Sequence, residues 1–285
     1  MSKRILLIGG GGFLGSALEL ALRAESFDSL CSTSKSRNSG NKRQLRKLDV
    51  LDQKQVMKLV REFEIVINLT GQASSPLSAC LQQNIEGTLN IIEACKRHHT
   101  KLIHVSSILV HGATENVNSK TALNPESPYA TCKAAAELLI QSLLQPDQYA
   151  IMRLSNLYGE HQLKGLFWFL LKHVREDKPM HFSDNDGSLT RNFIHVDDAA
   201  RVIAQLIVQD AEGVFSIASK ENYSVREIVA MLEHILTKSL RVTYAEQQPL
   251  ENTGVVDLSL LEKTTELYFT HSVESFLRSQ LHSSS

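Results

Sequence analysis

Three side chains in this 285-residue sequence could together exchange a proton with an oxygen on a carbinol carbon. Tyr129 and Lys133 stand four apart in Tyr129-Ala130-Thr131-Cys132-Lys133. On a helix that spacing puts them on one face, one turn apart. A phenol titrates near ~10 in water, too high for a base at neutral pH. A neighbouring ammonium favours the phenolate and lowers that value. Ser107 closes an apolar run, 101–107, that reads as a strand. Its hydroxyl emerges at the carboxyl edge of a sheet, where open parallel sheets bind ligands. There it can donate to the same substrate oxygen. By spacing alone, the pair also fits an exposed helical face, and Ser107 a turn residue.

The elements that would position these residues begin with a glycine turn. Gly9-Gly10-Gly11-Gly12-Phe13-Leu14-Gly15 follows the apolar run 4–8 and opens the helical pattern 13–24. Gly9 permits a tight turn, Gly12 lets backbone approach a pyrophosphate, and Gly15 lets the helix pack closely on the sheet. The N–H groups of Phe13, Leu14 and Gly15 at the helix start suit phosphate oxygens. This is a dinucleotide-binding pattern in its proper strand–turn–helix context. The second strand ends Cys31-Ser32-Thr33-Ser34-Lys35-Ser36-Arg37, with no carboxylate for an adenine ribose. Thr33, Ser34, Lys35 and Arg37 suit a 2′-phosphate instead, which favours NADP, with NAD as the alternative. Further cofactor contacts are expected at Asp49 and Val50, at Leu69, Thr70 and Gly71, at Ser106, and at Tyr129 and Lys133.

Strand-like runs at 4–8, 29–33, 45–49, 64–69, 101–107 and 149–154 alternate with helical patterns at 13–24, 53–62, 77–98 and 127–144. Such alternation predicts an α/β fold of Rossmann type, a doubly wound parallel sheet with helices on both faces. Beyond 157 the alternation loosens, with helices near 163–176, 196–209 and 225–236. The expected division is a dinucleotide-binding domain over 1–157 and a smaller C-terminal α/β substrate-binding portion over 158–285, with the chain free to cross between them.

Composition narrows the function classes. Hydrophobic residues make up 42% and charged residues 21%, which argues for a packed globular chain. A formal net charge of −1 offers no basic field for nucleic acid, despite the basic run between Lys35 and Lys47. No run approaches the ~20 apolar residues that span a bilayer. The apolar run after Lys3-Arg4 is too short for a signal peptide, so a cytoplasmic location is expected. Cys31, Cys80, Cys95 and Cys132 show no zinc or redox spacing and read as reduced, buried thiols.

Several motifs in order resemble the extended short-chain dehydrogenase/reductase superfamily, in its nucleotide-sugar epimerase/dehydratase branch. They are the glycine turn, Asn84-Ile85-Glu86-Gly87-Thr88, Ser106-Ser107-Ile108-Leu109-Val110-His111-Gly112, Tyr129 to Lys133, Arg153-Leu154-Ser155-Asn156-Leu157-Tyr158-Gly159, and Arg191-Asn192-Phe193-Ile194-His195-Val196-Asp197-Asp198. The resemblance implies Ser107, Tyr129 and Lys133 as catalytic residues, and Ser107, Asn156 and Arg191 as substrate contacts, the last two on a diphosphate. It also implies a homodimer through helices 77–98 and 127–144. No metal is expected: an Asp capping the helix after His195 accounts better for that motif. Two departures stand out. His111 replaces a usual Tyr. Ile108 and Leu109 replace the acidic pair with which the 4,6-dehydratases of this branch eliminate water, which disfavours a dehydratase. The favoured reading is an NAD(P)-dependent reductase of a nucleotide-linked 4-keto sugar. A nucleotide-sugar 4-epimerase is the close alternative, and a non-catalytic dinucleotide-binding protein the distant one.

Overall fold

The run Ile5-Leu6-Leu7-Ile8 is apolar on both faces, so it can exist only as a strand covered from both sides. The computed structural model describes residues 3–27, 29–35, 45–71, 76–118, 120–183, 186–245 and 253–282. In chain order the first half runs β1 (Ile5–Ile8), α1 (Phe13–Ala24), β2 (Leu30–Ser34), β3 (Arg46–Lys47), α2 (Gln53–Val60), β4 (Ile65–Asn68), α3 (Leu77–Leu81), α4 (Gly87–His98), β5 (Lys101–Ser107), β6 (Thr114–Val117), α5 (Pro128–Leu143) and β7 (Tyr149–Leu154). The second half runs β8 (Asn156–Tyr158), α6 (Leu166–Arg175), β9 (Met180–Phe182), β10 (Thr190–His195), α7 (Val196–Val208), β11 (Gly213–Ile217), β12 (Asn222–Ser224), α8 (Val225–Leu236), β13 (Val242–Tyr244), β14 (Thr253–Val256), α9 (Ser259–Thr264) and α10 (Val273–His282).

Seven parallel strands form the central sheet, in the order β11-β7-β5-β4-β1-β2-β3. From β1 the chain winds outward to β3, then returns to β4 and winds the other way. The order therefore reverses between β1 and β4, and a crevice opens beyond their carboxyl ends. One face of the sheet is covered by α1 and α7, whose Leu14, Leu18, Leu22, Val202 and Leu206 pack with strand residues. The other face is covered by α2, α4 and α5, through Val56, Ile91, Ile92 and Ile140. A separate apolar cluster, centred on Tyr158, Phe167, Phe193 and Phe276, holds the C-terminal elements together.

The expected parallel α/β architecture is present, with three differences in detail. The third strand pairs over two residues only, Thr33 with Arg46 and Ser34 with Lys47. The helical stretch 77–98 is not uniform: a π-type turn over Gln82–Glu86 separates α3 from α4. Gly87 follows it, and a Cβ there would stand 2.6 Å from Val50 Cγ2, so the helix backbone lies against Val50. The sheet also does not end with the segment before 157. β11 supplies its outer strand and α7 packs on α1, because Val214, Phe215 and Ile217 find their partner at the open edge of β7. Among the described residues no helix is long and apolar enough to cross a membrane.

Candidate active site

α5 starts where Pro128 fixes the first helical φ and the Ser127 hydroxyl accepts the Ala130 N–H at 3.2 Å. This cap places Tyr129 in the first turn and Lys133 one turn later. Lys133 is buried, and its ammonium donates to the Val105 carbonyl at 2.9 Å and the Thr70 carbonyl at 3.1 Å. The two bonds tie α5 to the carboxyl ends of β5 and β4, where Ser107 and Gly71 emerge. Gly71 makes room for the amine: a Cβ there would lie 3.2 Å from Lys133 Nζ. The Ser107 hydroxyl accepts the Leu109 N–H at 3.3 Å and so opens the short turn Ile108–His111.

The electrostatics differ from those expected of a Tyr–Lys pair. Burial pushes the Tyr129 phenol up to about 12, with Cys80 adding to the rise. Burial pulls Lys133 down to about 8, against the opposing charge of Glu137. Lys133 Nζ lies 6.0 Å from the centre of the Tyr129 ring and is engaged with carbonyls instead. In this state the ammonium does not lower the phenol.

The glycine turn has the shape a pyrophosphate requires. Gly9 has φ +84°, a left-handed conformation that suits glycine. A Cβ on Gly15 would stand 2.6 Å from the Gly10 backbone. α1 starts at Gly12 with no side-chain cap and no acidic residue in its first turn, so its leading N–H groups are left for an anion. A nicotinamide dinucleotide fits this cradle. Thr33 stitches it together: its hydroxyl accepts the Gly9 N–H and its carbonyl the Gly11 N–H, each at 3.3 Å. Of the residues expected on the adenosine, Lys35 pairs with Asp49 at 3.0 Å, and Asp49 also accepts the Leu51 N–H at 3.2 Å. Val50 is buried, and Arg37 lies outside the described residues.

Two other expected contacts are engaged within the protein. The Ser106 hydroxyl donates to Glu137. The Asn156 amide donates to the Asn192 carbonyl at 3.2 Å. Asn156 on β8 and Arg191 on β10 nonetheless share one small sheet, in which Asn156 is registered opposite Phe193. The cap expected from an Asp after β10 comes instead from His195, whose Nδ1 accepts the Asp197 N–H at 3.3 Å while Nε2 faces Glu160 at 3.2 Å. Buried Asp198 holds the 270–271 backbone through the N–H groups of Thr270 and His271, at 3.1 and 3.2 Å. The His195, Asp197 and His271 ligand atoms lie within 4.8 Å of one another. The two imidazoles, however, stack at 3.8 Å and 14°, so their lone pairs run in parallel planes rather than converging on one ion.

Some of the site was invisible in the sequence. His104, fully buried on β5, faces the Asn68 amide at 3.2 Å, and burial together with the Lys133 charge holds its pKa well below the usual value. The Cys80 and Cys132 thiols meet at 3.8 Å between α3 and α5. Glu137 and Arg153 form a buried ion pair at 2.7 Å. The available signal was a carboxylate four residues after Lys133, on the same helix face as Tyr129 and Lys133.

A model of the NAD dependent epimerase/dehydratase family matches residues 5–218. The chain belongs to this family. That makes it an enzyme of the extended short-chain dehydrogenase/reductase type. It is similar to dTDP-glucose 4,6-dehydratase of Mycolicibacterium smegmatis, 28% identical over 242 residues, covering 74% of this chain and 70% of the relative. It is also similar to human dTDP-D-glucose 4,6-dehydratase, 26% identical over 267 residues, covering 84% and 75%. Among solved structures it resembles the Y149F mutant of UDP-glucuronic acid 4-epimerase from Bacillus cereus, in complex with UDP-4-deoxy-4-fluoro-glucuronic acid and NAD. That likeness has a TM-score of 0.86 at 25% identity over 98% of each chain. Within a family that includes dehydratases, this chain places buried Ile108 and then Leu109 directly after Ser107, where neither side chain can donate or accept a proton.

Proposed function

We propose that this protein interconverts the C4 configuration of a nucleotide-diphosphate sugar, with Ser107, Tyr129 and Lys133 as its reacting residues. The observation that carries the reading is Lys133 bonded to the ends of β4 and β5 beside Ser107, one helical turn from Tyr129. The likeness to a UDP-glucuronic acid 4-epimerase moves the balance from reductase to epimerase. The apolar pair after Ser107 argues against elimination of water.

A nicotinamide dinucleotide, when bound, supplies the site that accepts and returns hydride. Ser107 donates a hydrogen bond to the C4 oxygen and polarises it. Tyr129 takes the proton from that oxygen and gives it back. At about 12 its phenol is a proton donor. To serve as a base it needs a positive charge, such as the Lys133 ammonium, to favour its phenolate. Asn156 and Arg191 would contact the substrate diphosphate, and the N–H groups of Phe13, Leu14 and Gly15 would hold the cofactor phosphates. Incubation with UDP-hexoses and UDP-uronic acids, followed by proton NMR of the anomeric signals, tests the proposal. A C4 epimer forming without net cofactor consumption supports it.

The second reading is a 4-keto sugar reductase that takes NADPH. It is favoured by the end of β2, Ser34-Lys35, which offers no ribose-binding carboxylate. Stoichiometric loss of NADPH absorbance with a 4-keto-6-deoxy sugar nucleotide, and no epimer from any UDP-sugar, would decide for it. Tighter binding of NADPH than NADH by titration tests the cofactor preference separately.

We also read the chain as a homodimer through α3–α4 and α5. Leu77 and Leu81 on α3 and Leu138 on α5 are exposed large apolar side chains, between 46% and 56% accessible.

A further inference from the structure

The helix that carries Tyr129 and Lys133 bears another charged side chain on the same face. Glu137 lies one turn beyond Lys133 and two turns beyond Tyr129. It is fully buried, an expensive place for a carboxylate unless every oxygen is paired. Arg153 of β7 grips it from Nη2 at 2.7 Å and from Nε at 3.1 and 3.2 Å. The Ser106 hydroxyl donates to it as well. Arg153 Nη1 donates to His111 Nε2 at 3.2 Å, which leaves Nδ1–H to donate to the Ala122 carbonyl at 3.0 Å. Burial holds His111 below its usual value, as an acceptor of an arginine N–H must be.

The geometry around β5 gives this pair a role beyond packing. Val105, Ser106 and Ser107 are consecutive. The first accepts from Lys133 and the second donates to Glu137, so α5 is fastened twice to the strand end that presents Ser107. Lys133 is faced by Glu137 and Cys132 on its own helix, by Cys80 from α3, by His104 from β5, and by the Thr70 and Val105 carbonyls. Glu137 is the carboxylate of that set.

We propose that Glu137 is a positioning residue: through Ser106 and Arg153 it holds the Tyr129–Lys133 face of α5 against the Ser107 end of β5, with its carboxylate one helical turn from Lys133. This rests on the reading of Ser107, Tyr129 and Lys133 as the reacting residues. A purely structural ion pair would show the same bonds, so the test must read Lys133 directly.

In cofactor-free protein labelled with ¹³C at lysine Cε, the resonance lost in Lys133→Met identifies Lys133, and its pH titration reports the amine. The wild-type midpoint is expected near 8. In Glu137→Gln the midpoint moves down, and the alkaline limb of the kcat profile moves down with it. At neutral pH kcat falls by about tenfold or more while KM and cofactor affinity hold. If Glu137→Gln fails to fold with Arg153 left unpaired, Glu137→Met with Arg153→Met removes both charges and carries the test. Ser106→Ala is expected to lower kcat with the Lys133 midpoint unmoved. A folded Glu137→Gln with the wild-type midpoint and alkaline limb, or a folded double variant with wild-type kcat, overturns the proposal. Tyr129→Phe with undiminished turnover overturns the underlying site reading instead, and leaves the lysine titration standing by itself.

Discussion

At the residue scale, burial dominates the groups proposed to react. Tyr129 and Lys133 are both held nearer their neutral forms, the phenol up at about 12 and the amine down at about 8. If Tyr129 exchanges the substrate proton, Tyr129→Phe lowers kcat by about 10²–10⁴ while leaving cofactor affinity unchanged, as steady-state kinetics beside a fluorescence titration will show. Lys133 makes a second claim testable without substrate. Its ordinary value is 10.5 and its folded value about 8, so between them the unfolded chain holds a proton that the folded chain lacks. Stability owed to this group therefore rises with pH through that window, and the penalty is fully present below it. Lys133→Met removes the penalty. Its stability relative to wild type, by urea unfolding, is expected to be more favourable at about pH 7 than at about pH 10.

At the scale of elements, the β1–α1 turn and α5 do most to arrange the site. The turn works because Gly15 lets α1 descend onto Gly10. A methyl at Gly15 would meet backbone at 2.6 Å, which no rotamer change can relieve. Gly15→Ala should therefore displace the start of α1 and weaken cofactor binding by about tenfold or more, while far-UV circular dichroism stays close to wild type. Calorimetric titration with NADH and NADPH reads the loss. Unchanged affinity would mean that phosphates do not bind at this helix start. α5 needs its Ser127 cap and Pro128 start to aim its first turn, and Lys133 and Glu137 to fix its distance from β5. The π-type turn before α4 places the Asn84 side chain inward, bonded to the Cys80 carbonyl at 2.9 Å and next to the Cys80 thiol.

For the whole molecule, the winding of the sheet sets the crevice between β1 and β4, and the C-terminal elements have a core of their own. That second core is aromatic: Tyr158, Phe167, Phe193 and Phe276 meet at ring separations of 4.8 to 6.0 Å. Exposed Leu77, Leu81 and Leu138 mark the surface read as a dimer contact. Leu81→Glu with Leu138→Glu is expected to give a monomer by light scattering, with cofactor affinity kept. A wild-type chain already monomeric at micromolar concentration would remove that reading.

The sequence by itself determined what depends on local pattern. Glycines at 9, 12 and 15 between a strand and a helix, apolar strands at regular intervals, and Tyr129 and Lys133 at helical spacing each encode geometry within one or two turns. The parallel sheet, the glycine turn, Ser107 at a strand end and Tyr129 and Lys133 on one helix were legible for that reason. What joins segments far apart in the chain was not. No local pattern announces that Glu137 meets Ser106 and Arg153, that His111 accepts from that arginine, or that Cys80 touches Cys132. The same holds for β11 closing the sheet and for Lys133 bonding two strand ends rather than the phenol. Burial decides these matters: only once the chain is packed does a charge lose its water and have to find a partner, and packing is a property of the tertiary structure.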